Sequence, residues 1–262
     1  MRVTHWSDDA AFYVTVKNLK DKRMKTALIT GANQGIGREV ARQLAELGYR
    51  VYIGYRNASK GRRALEQLKA AGWDAIDGLL LDVTDTDLLS KARQKLESEI
   101  PALDLLINNA AIAGEQPQQM ASVRLENLRA VFETNFFGAV QTAQTFLPLL
   151  RRAEDPRIVN VSSEMGSLTV QQHTQNPNRG MFDAYSCSKA ALNAFTVMLA
   201  RAYPDSRIKV YSVTPGYTAT NLNQYKGAKA PEEGARIVVR YATQEGDEMN
   251  GRFFKQDGEV AW

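Results

Sequence analysis

The stretch Thr30-Gly31-Ala32-Asn33-Gln34-Gly35-Ile36-Gly37 decides the fold of this chain. It follows a strand-like run at residues 26–30 and leads into a segment whose apolar residues recur at helical spacing. Glycines at this spacing permit a tight turn, a close approach of the backbone to a ligand, and close packing of the helix on the strand. Free N–H groups at the helix start and the helix dipole attract anions. The stretch therefore predicts a strand–turn–helix unit that holds a pyrophosphate.

The rest of the chain repeats this alternation of short apolar runs and helix-period segments. The predicted strands are residues 26–30, 50–54, 76–81, 103–107, 157–161 and 207–213, with a weaker candidate at 252–255. This order predicts an α/β fold, a Rossmann-type doubly wound parallel sheet of about seven strands in a single domain. Helical spacing also predicts a late helix, with Ala191, Phe195, Met198 and Ala202 along one face. The polar stretch 171–180 predicts a loop.

The domain boundaries follow from where this pattern begins. The strand pattern starts just after Met24, so we expect residues 1–23 to form an N-terminal extension outside the core fold and residues 24–262 to form the domain. Asp8 and Asp9 interrupt any apolar segment that a signal peptide would need, and no apolar run is long enough to span a membrane. One cysteine and no export signal predict a cytoplasmic protein.

Composition excludes several classes of function. The 262 residues are 44% hydrophobic and 24% charged, which is typical of a soluble globular domain. The chain has two histidines, His5 and His173, and one cysteine, Cys187. We therefore expect no disulfide framework and no metal site, and catalysis by a Ser–His pair is disfavoured. A net charge of +4 without a basic stripe predicts no nucleic-acid partner.

The end of the second strand bears on the choice of dinucleotide. It reads Ile53-Gly54-Tyr55-Arg56-Asn57 and lacks the acid that would bind a free ribose hydroxyl in an NAD site. Arg56 could instead bind a 2′-phosphate, so we expect NADP(H) to be preferred and NAD(H) to be possible; the alternative is an ordinary surface arginine. Asp82, at the end of the third strand and next to Val83, would reach the adenine or cap the helix that begins near Asp85.

A tyrosine followed four residues later by a lysine places both side chains on one helical face. Three such pairs occur in the chain: Tyr13/Lys17, Tyr185/Lys189 and Tyr225/Lys229. The first lies in a β-branched run, and the third straddles Gly227 in a loop-like stretch. Tyr185 and Lys189 alone begin a strongly periodic helix just after the fifth strand. We therefore expect this pair to be functional.

These motifs, taken in order, resemble those of the short-chain dehydrogenase/reductase family from about Met24 to Trp262. The matching residues are Thr30–Gly37, Asn108-Asn109-Ala110-Ala111, Asn135, Ser162-Ser163, Tyr185 with Lys189, and Pro215-Gly216 with Thr220. The closing segment, from Asn250-Gly251-Arg252-Phe253-Phe254 to Trp262, is similar to the carbonyl-reductase-like branch. The resemblance implies an NAD(P)-dependent oxidoreductase.

The resemblance also assigns catalytic roles. It implies that Tyr185 is the general acid or base, and a Lys189 ammonium about 4 Å away would lower the pKa of the phenol by roughly three units. Ser163 would hydrogen-bond the substrate oxygen, with Ser162 as the alternative register. Asn135 would bend its helix and hold a water of the proton relay; the alternative is a buried asparagine satisfied by backbone groups.

The cofactor-binding residues implied in this way span the chain. They are Gly31, Asn33, Gln34, Gly35, Ile36, Gly37, Arg56, Asp82, Val83, Asn109, Ala110, Tyr185, Lys189, Pro215, Gly216, Thr218 and Thr220. Thr220 matches the threonine that contacts the nicotinamide carboxamide, and Thr218 is the alternative. The chain departs from the family pattern at Ala111, where a glycine is usual, and at Gln34, where a basic residue often accompanies NADP. Substrate loops are expected at about 164–184 and 217–230.

The sequence therefore predicts an NADPH-dependent reductase that converts a small-molecule ketone or aldehyde to an alcohol, or the reverse. Two alternatives are a non-catalytic NADP(H)-binding sensor or scaffold and a sugar-nucleotide epimerase or dehydratase. The short length of the chain beyond the nucleotide fold favours the oxidoreductase over the epimerase. Whether the protein is a monomer or a homo-oligomer stays open.

Overall fold

The computed structural model describes residues 23–173, 180–203, 207–244, 246 and 249–262. Within these residues, eight strands are formed: β1 Thr26–Ile29, β2 Arg50–Tyr55, β3 Ile76–Leu80, β4 Leu105–Asn108, β5 Arg157–Val161, β6 Lys209–Val213, β7 Phe253–Lys255 and β8 Gly258–Glu259. The helices are α1 Gly35–Glu46, α2 Ala58–Ala70, α3 Thr86–Glu99, α4 Leu125–Phe132, α5 Gly138–Leu150, α6 Leu168–His173, α7 Asp183–Ala202 and α8 Pro231–Thr243.

One sheet contains all of these strands, in the order β3-β2-β1-β4-β5-β6-β7-β8. The first seven are parallel, as the sequence predicts, and β8 pairs with β7 in the antiparallel direction. The prediction of about seven strands missed β8, because a strand of two residues carries no readable period. The order in which successive strands are added to the sheet reverses between β1 and β4, and parallel sheets bind ligands at the carboxyl edge beside such a reversal.

Helices cover both faces of the sheet. One buried apolar cluster joins the strands to α1, α2 and α8, and a second joins them to α3, α5 and α7. Neighbouring strand residues alternate between the two clusters: Ile29 belongs to the first and Leu28 to the second. Burial on both faces explains why the strands read as continuous apolar runs.

The buried face of α7 differs from the prediction. The helix is present, but Met198 on the predicted apolar face is 59% exposed. The helix instead buries a more polar face, which comprises Ala184, Ser188, Lys189, Leu192, Asn193, Thr196 and Ala200. Hydrogen bonds satisfy that face: Thr196 accepts from Asn160 of β5, and Asn193 accepts from Ser162. Apolar spacing misassigned the face because these polar groups find partners on the sheet.

Two loop predictions also need correction. The polar stretch 171–180 is not wholly a loop, because its first three residues complete α6, and residues 174–179 lie outside the described residues. The expected substrate loop 164–184 likewise contains a 3₁₀ turn at Glu164–Gly166, the helix α6 and the start of α7. The other expected loop, 217–230, contains a single 3₁₀ turn at Asn221–Asn223.

The start of the described chain is tied to the sheet. The Arg23 guanidinium donates to both carboxylate oxygens of Asp104, at 2.8 and 2.7 Å, and Asp104 also accepts from the Thr26 N–H. Residues 1–22 of the predicted extension lie outside the described residues, whereas its last residue contacts the domain. No helix in the described ranges is both long enough and apolar enough to cross a membrane.

Candidate active site

A cavity of about 520 Å³ lies at the carboxyl edge of the sheet, where the strand order reverses. All of the predicted cofactor-binding residues line it, from the glycine turn and Arg56 at one end to Tyr185 and Lys189 at the other. Ser162 and Ser163 also line it, whereas Asn135 does not. The fold therefore gathers residues more than 180 positions apart into one continuous site.

The glycine turn is shaped to expose its backbone. Gly31 and Gly35 have left-handed φ values of +63° and +57°, which side chains disfavour. A Cβ at Gly37 would lie 2.5 Å from Asn109 Nδ2 and 2.9 Å from Ala32 Cα, so only glycine fits there. The turn opens α1, whose first N–H groups lack intrahelical partners. These features fit a pyrophosphate on the backbone of the turn.

The ends of β2 and β3 form the wall of the cavity next to the glycine turn. Arg56 is exposed at the cavity and forms no ion pair with another residue of the described ranges. Asp82 also lines the cavity, where its carboxylate accepts from the N–H and hydroxyl of Thr84. Asp85, not Asp82, caps α3, by accepting from the N–H groups of Asp87 and Leu88. A free guanidinium at this wall fits a phosphate ester.

Tyr185 and Lys189 lie one turn apart on α7 at the other end of the cavity. The Lys189 side chain is buried, and its Nζ donates to the carbonyl oxygen of Val161, at the end of β5, over 2.8 Å. The same Nζ lies 5.6 Å from the centre of the Tyr185 ring. The lysine therefore anchors α7 to the sheet directly beneath the tyrosine.

Burial dominates the ionisation of both groups. It raises the pKa of Tyr185 to about 12, partly offset by a hydrogen bond with Ser163, and it lowers the pKa of Lys189 to about 7. The expected lowering of the Tyr185 pKa by a Lys189 ammonium is not found: burial raises the pKa of the phenol, and the group that lowers it is Ser163. The phenol keeps its proton at neutral pH.

The two serines at the end of β5 have different environments. Ser163 hydrogen-bonds Tyr185, and its Oγ also accepts from the Met165 N–H at 3.2 Å. Ser162 is buried, and its hydroxyl donates to Asn193 Oδ1 at 2.7 Å. The geometry favours Ser163 as the serine that faces a substrate.

Asn135 lies in a π-helical turn, Glu133–Phe137, that joins α4 to α5. Its side chain accepts from the Ile112 N–H at 2.9 Å and donates to the Ile112 carbonyl oxygen and to Ser188 Oγ, each at 3.0 Å. The helix irregularity matches the expected bend. Two of its three hydrogen bonds are to backbone groups, which supports the alternative of a buried asparagine satisfied by the backbone.

The segment after β6 closes over the cavity. The Thr218 hydroxyl donates to the carbonyl oxygens of Pro215 and Gly216, each at 3.3 Å, so it is engaged within its own turn. The methyl group of Thr220 would lie 3.4 Å from a Cβ at Gly35. Thr220 thus contacts the glycine turn, and the segment bridges the two halves of the site.

Sequence reasoning missed Gln118 and Ile112. Gln118 is fully buried, and its Oε1 accepts from the backbone N–H of Tyr185 at 3.1 Å. Ile112 lines the cavity, as do Phe182 and Leu222 of the two expected substrate loops. No local pattern marks Gln118 or Ile112, because only tertiary structure brings them to the site.

Comparison with known proteins places this site in a family. The profile of the short chain dehydrogenases matches residues 25–231, and the chain belongs to the short-chain dehydrogenase/reductase family. It is therefore an oxidoreductase of a family that binds NAD(P). A short-chain dehydrogenase of Penicillium roqueforti is 37% identical over 223 residues, which cover 83% of this chain and 88% of the relative. A (+)-neomenthol dehydrogenase of Capsicum annuum is 31% identical, with 90% and 96% covered.

Solved structures confirm the resemblance to carbonyl reductases. The NADPH-bound carbonyl reductase from chicken fatty liver has a TM-score of 0.79 and 28% identity, and the match covers 92% of this chain and 100% of that one. The carbonyl reductase Sniffer of D. melanogaster has a TM-score of 0.81 at the same identity and coverage. The predicted fold class is confirmed as well.

The depressed pKa of Lys189 predicts a pH-dependent stability. An unfolded lysine titrates near about 10.4, so the unfolded chain binds more protons than the folded chain above pH 7, and stability rises with pH. With a folded pKa of about 7, the gain between pH 7 and pH 9 is about 2 kcal/mol. Urea unfolding at both pH values should show this gain in the wild type and its loss in Lys189→Met.

The exposed Lys95→Met serves as the control and should keep the wild-type dependence. An equal pH dependence in Lys189→Met and the wild type would show that the buried lysine does not titrate in this range.

Proposed function

We propose that this protein is an NADPH-dependent reductase that converts the carbonyl of a small ketone or aldehyde to an alcohol. One observation carries the proposal: a protonated phenol, a buried lysine and a serine hydroxyl meet at one end of a cavity whose other end presents a glycine turn and a free arginine. A binding protein has no need of the first three groups. Residues 24–262 would act as one catalytic domain, in the cytoplasm.

The cofactor would occupy the length of the cavity. The turn from Gly31 to Gly37 would hold the pyrophosphate, Arg56 the 2′-phosphate, and Asp82 with Val83 would flank the adenine. Asn109 and Ala110 would line the middle of the site. Pro215, Gly216 and Thr220 would hold the nicotinamide half, with Thr218 bracing their turn. Bound NADPH supplies the hydride.

The chain itself supplies the proton and the orientation of the substrate. The Ser163 hydroxyl would donate a hydrogen bond to the carbonyl oxygen, and Tyr185 Oη would give its proton to the same oxygen. A pKa of about 12 keeps that proton on the phenol at neutral pH, which is the state that reduction requires. The protonated form of Lys189, 5.6 Å from the ring, would stabilise the phenolate that remains.

The walls around Tyr185 indicate an apolar substrate. Ile112, Ala113, Met165, Phe182 and Leu222 line the cavity. Apolar walls with a few convergent polar groups suit a compact organic carbonyl compound. Relatives named for neomenthol and for salutaridine are compatible with a cyclic ketone or alcohol as the substrate class.

A substrate screen tests the proposed reaction. The purified protein should consume NADPH, followed by its absorbance, with at least one member of a panel of cyclic ketones and aromatic aldehydes, and the alcohol should appear in equal amount. Tight NADPH binding without turnover of any member would support a sensor instead. Isomerised product without net NADPH consumption would support an epimerase.

Arg56 provides a test of cofactor choice. A charge-assisted hydrogen bond to phosphate contributes about 1.5–3 kcal/mol, so Arg56→Ala should raise the KM for NADPH about ten- to hundredfold and leave that for NADH nearly unchanged. Arg63→Ala, an exposed arginine on α2, is the matched control and should change neither. Equal KM values for NADPH in Arg56→Ala and the wild type would remove Arg56 from the site.

A further inference from the structure

Gln118 is a fully buried amide in the segment between β4 and α4. Its Nε2 donates to the carbonyl oxygen of Ala113 at 2.6 Å, and its Oε1 accepts from the N–H of Tyr185 at 3.1 Å. Its own backbone N–H donates to the carbonyl oxygen of Gly180 at 2.9 Å. One side chain thus joins the wall of the cavity to the helix that carries the tyrosine.

This contact replaces the usual cap of α7. The helix begins at Asp183 after Phe182, whose side chain has no atom that can accept a hydrogen bond. In most helices the N-cap side chain accepts from the N–H group three residues on, which here belongs to Tyr185. Gln118 accepts that bond from 67 positions away. The first turn of the helix is therefore held by the cavity wall.

Asp183 makes a second tie between the same two segments. Its carboxylate accepts from the Gly180 N–H at 3.1 Å and from the Met120 N–H at 3.2 Å. Both amide N–H groups therefore point towards the start of α7. The negative charge of the carboxylate also interacts favourably with the helix dipole there. Met120, two residues after Gln118, is thus also tied to the start of α7.

Asn135 holds the other side of the wall. It hydrogen-bonds both backbone groups of Ile112 and donates to Ser188, which precedes Lys189 on α7. Hydrogen bonds therefore link Tyr185 to Gln118, Gln118 to Ala113, and Ile112, the neighbour of Ala113 in the chain, through Asn135 back to α7. These bonds connect the cavity wall at Ile112 and Ala113 to the helix that carries the Tyr185 phenol.

We propose that Gln118 is a positioning residue, which sets the place of Tyr185 relative to the Ile112–Ala113 wall. This inference rests on the proposed function, since its kinetic consequence needs Tyr185 to act on a bound carbonyl. A shift of about 1 Å in a reacting group can cost about a hundredfold in rate. Gln118 lines no part of the cavity, so it acts through the tyrosine and the wall.

The primary test compares Gln118→Met with Gln43→Met. Methionine has nearly the same length and removes both hydrogen bonds. Gln43 is the matched control, a buried glutamine on α1 whose Nε2 donates to the Glu232 carbonyl oxygen far from the site. We expect Gln118→Met to lower kcat about tenfold or more while the KM for NADPH stays unchanged. Gln43→Met should lose a similar amount of stability but keep the kcat of the wild type.

A second readout needs no turnover. Hydrogen–deuterium exchange at the Tyr185 amide, followed in the full chain, should be faster in Gln118→Met and unchanged in Gln43→Met. If the wild type reduces no carbonyl, the proposed function fails, while unchanged exchange in Gln118→Met would overturn the positioning role independently. A kcat equal to that of the wild type in Gln118→Met would also overturn it.

The variant Gln118→Glu tests the two hydrogen bonds separately, and it can be used if Gln118→Met does not fold. The glutamate still accepts from the Tyr185 N–H, but it donates to the Ala113 carbonyl oxygen only when it is protonated. Its kcat relative to the wild type should therefore rise as the pH falls. A ratio that does not change with pH would show that the bond to the wall plays no part.

Discussion

The hydrogen bond from Lys189 Nζ to the Val161 carbonyl oxygen is the contact on which the site depends. It buries the lysine side chain at the carboxyl end of β5 and fixes the rotation of α7 against the sheet. Tyr185 lies one turn before Lys189 on α7, so the same rotation places the tyrosine at the cavity. It also accounts for the polar face of the helix, because Asn193 and Thr196 must then face β5 and β6 and find their partners there.

The same burial determines how the two groups ionise. Removing water raises the pKa of the phenol and lowers that of the ammonium, so a protonated phenol lies near a lysine whose pKa is close to neutral. A buried lysine near its titration point can gain or lose a proton at little cost. A phenol whose pKa lies above its usual range keeps its proton at neutral pH.

Local sequence patterns predicted the parts of the structure that local forces determine. The glycine turn, the parallel strands and the Tyr185/Lys189 pair each carry a short-range signal, and the fold brings every predicted cofactor residue to one cavity. Features set by tertiary contacts were not predicted: the buried face of α7, the short antiparallel β8, and Gln118, which accepts from the N–H of Tyr185 from 67 positions away. The pKa of Tyr185 also could not be read from sequence, because it reflects burial rather than spacing.

The most direct test of this account is the turnover of Tyr185→Phe with the best carbonyl substrate of the wild type. Phenylalanine keeps the ring but removes the proton that the substrate oxygen needs. The account predicts that kcat falls at least about a hundredfold while NADPH binds as before. A variant that retains the turnover of the wild type would contradict the role of Tyr185 as the proton donor.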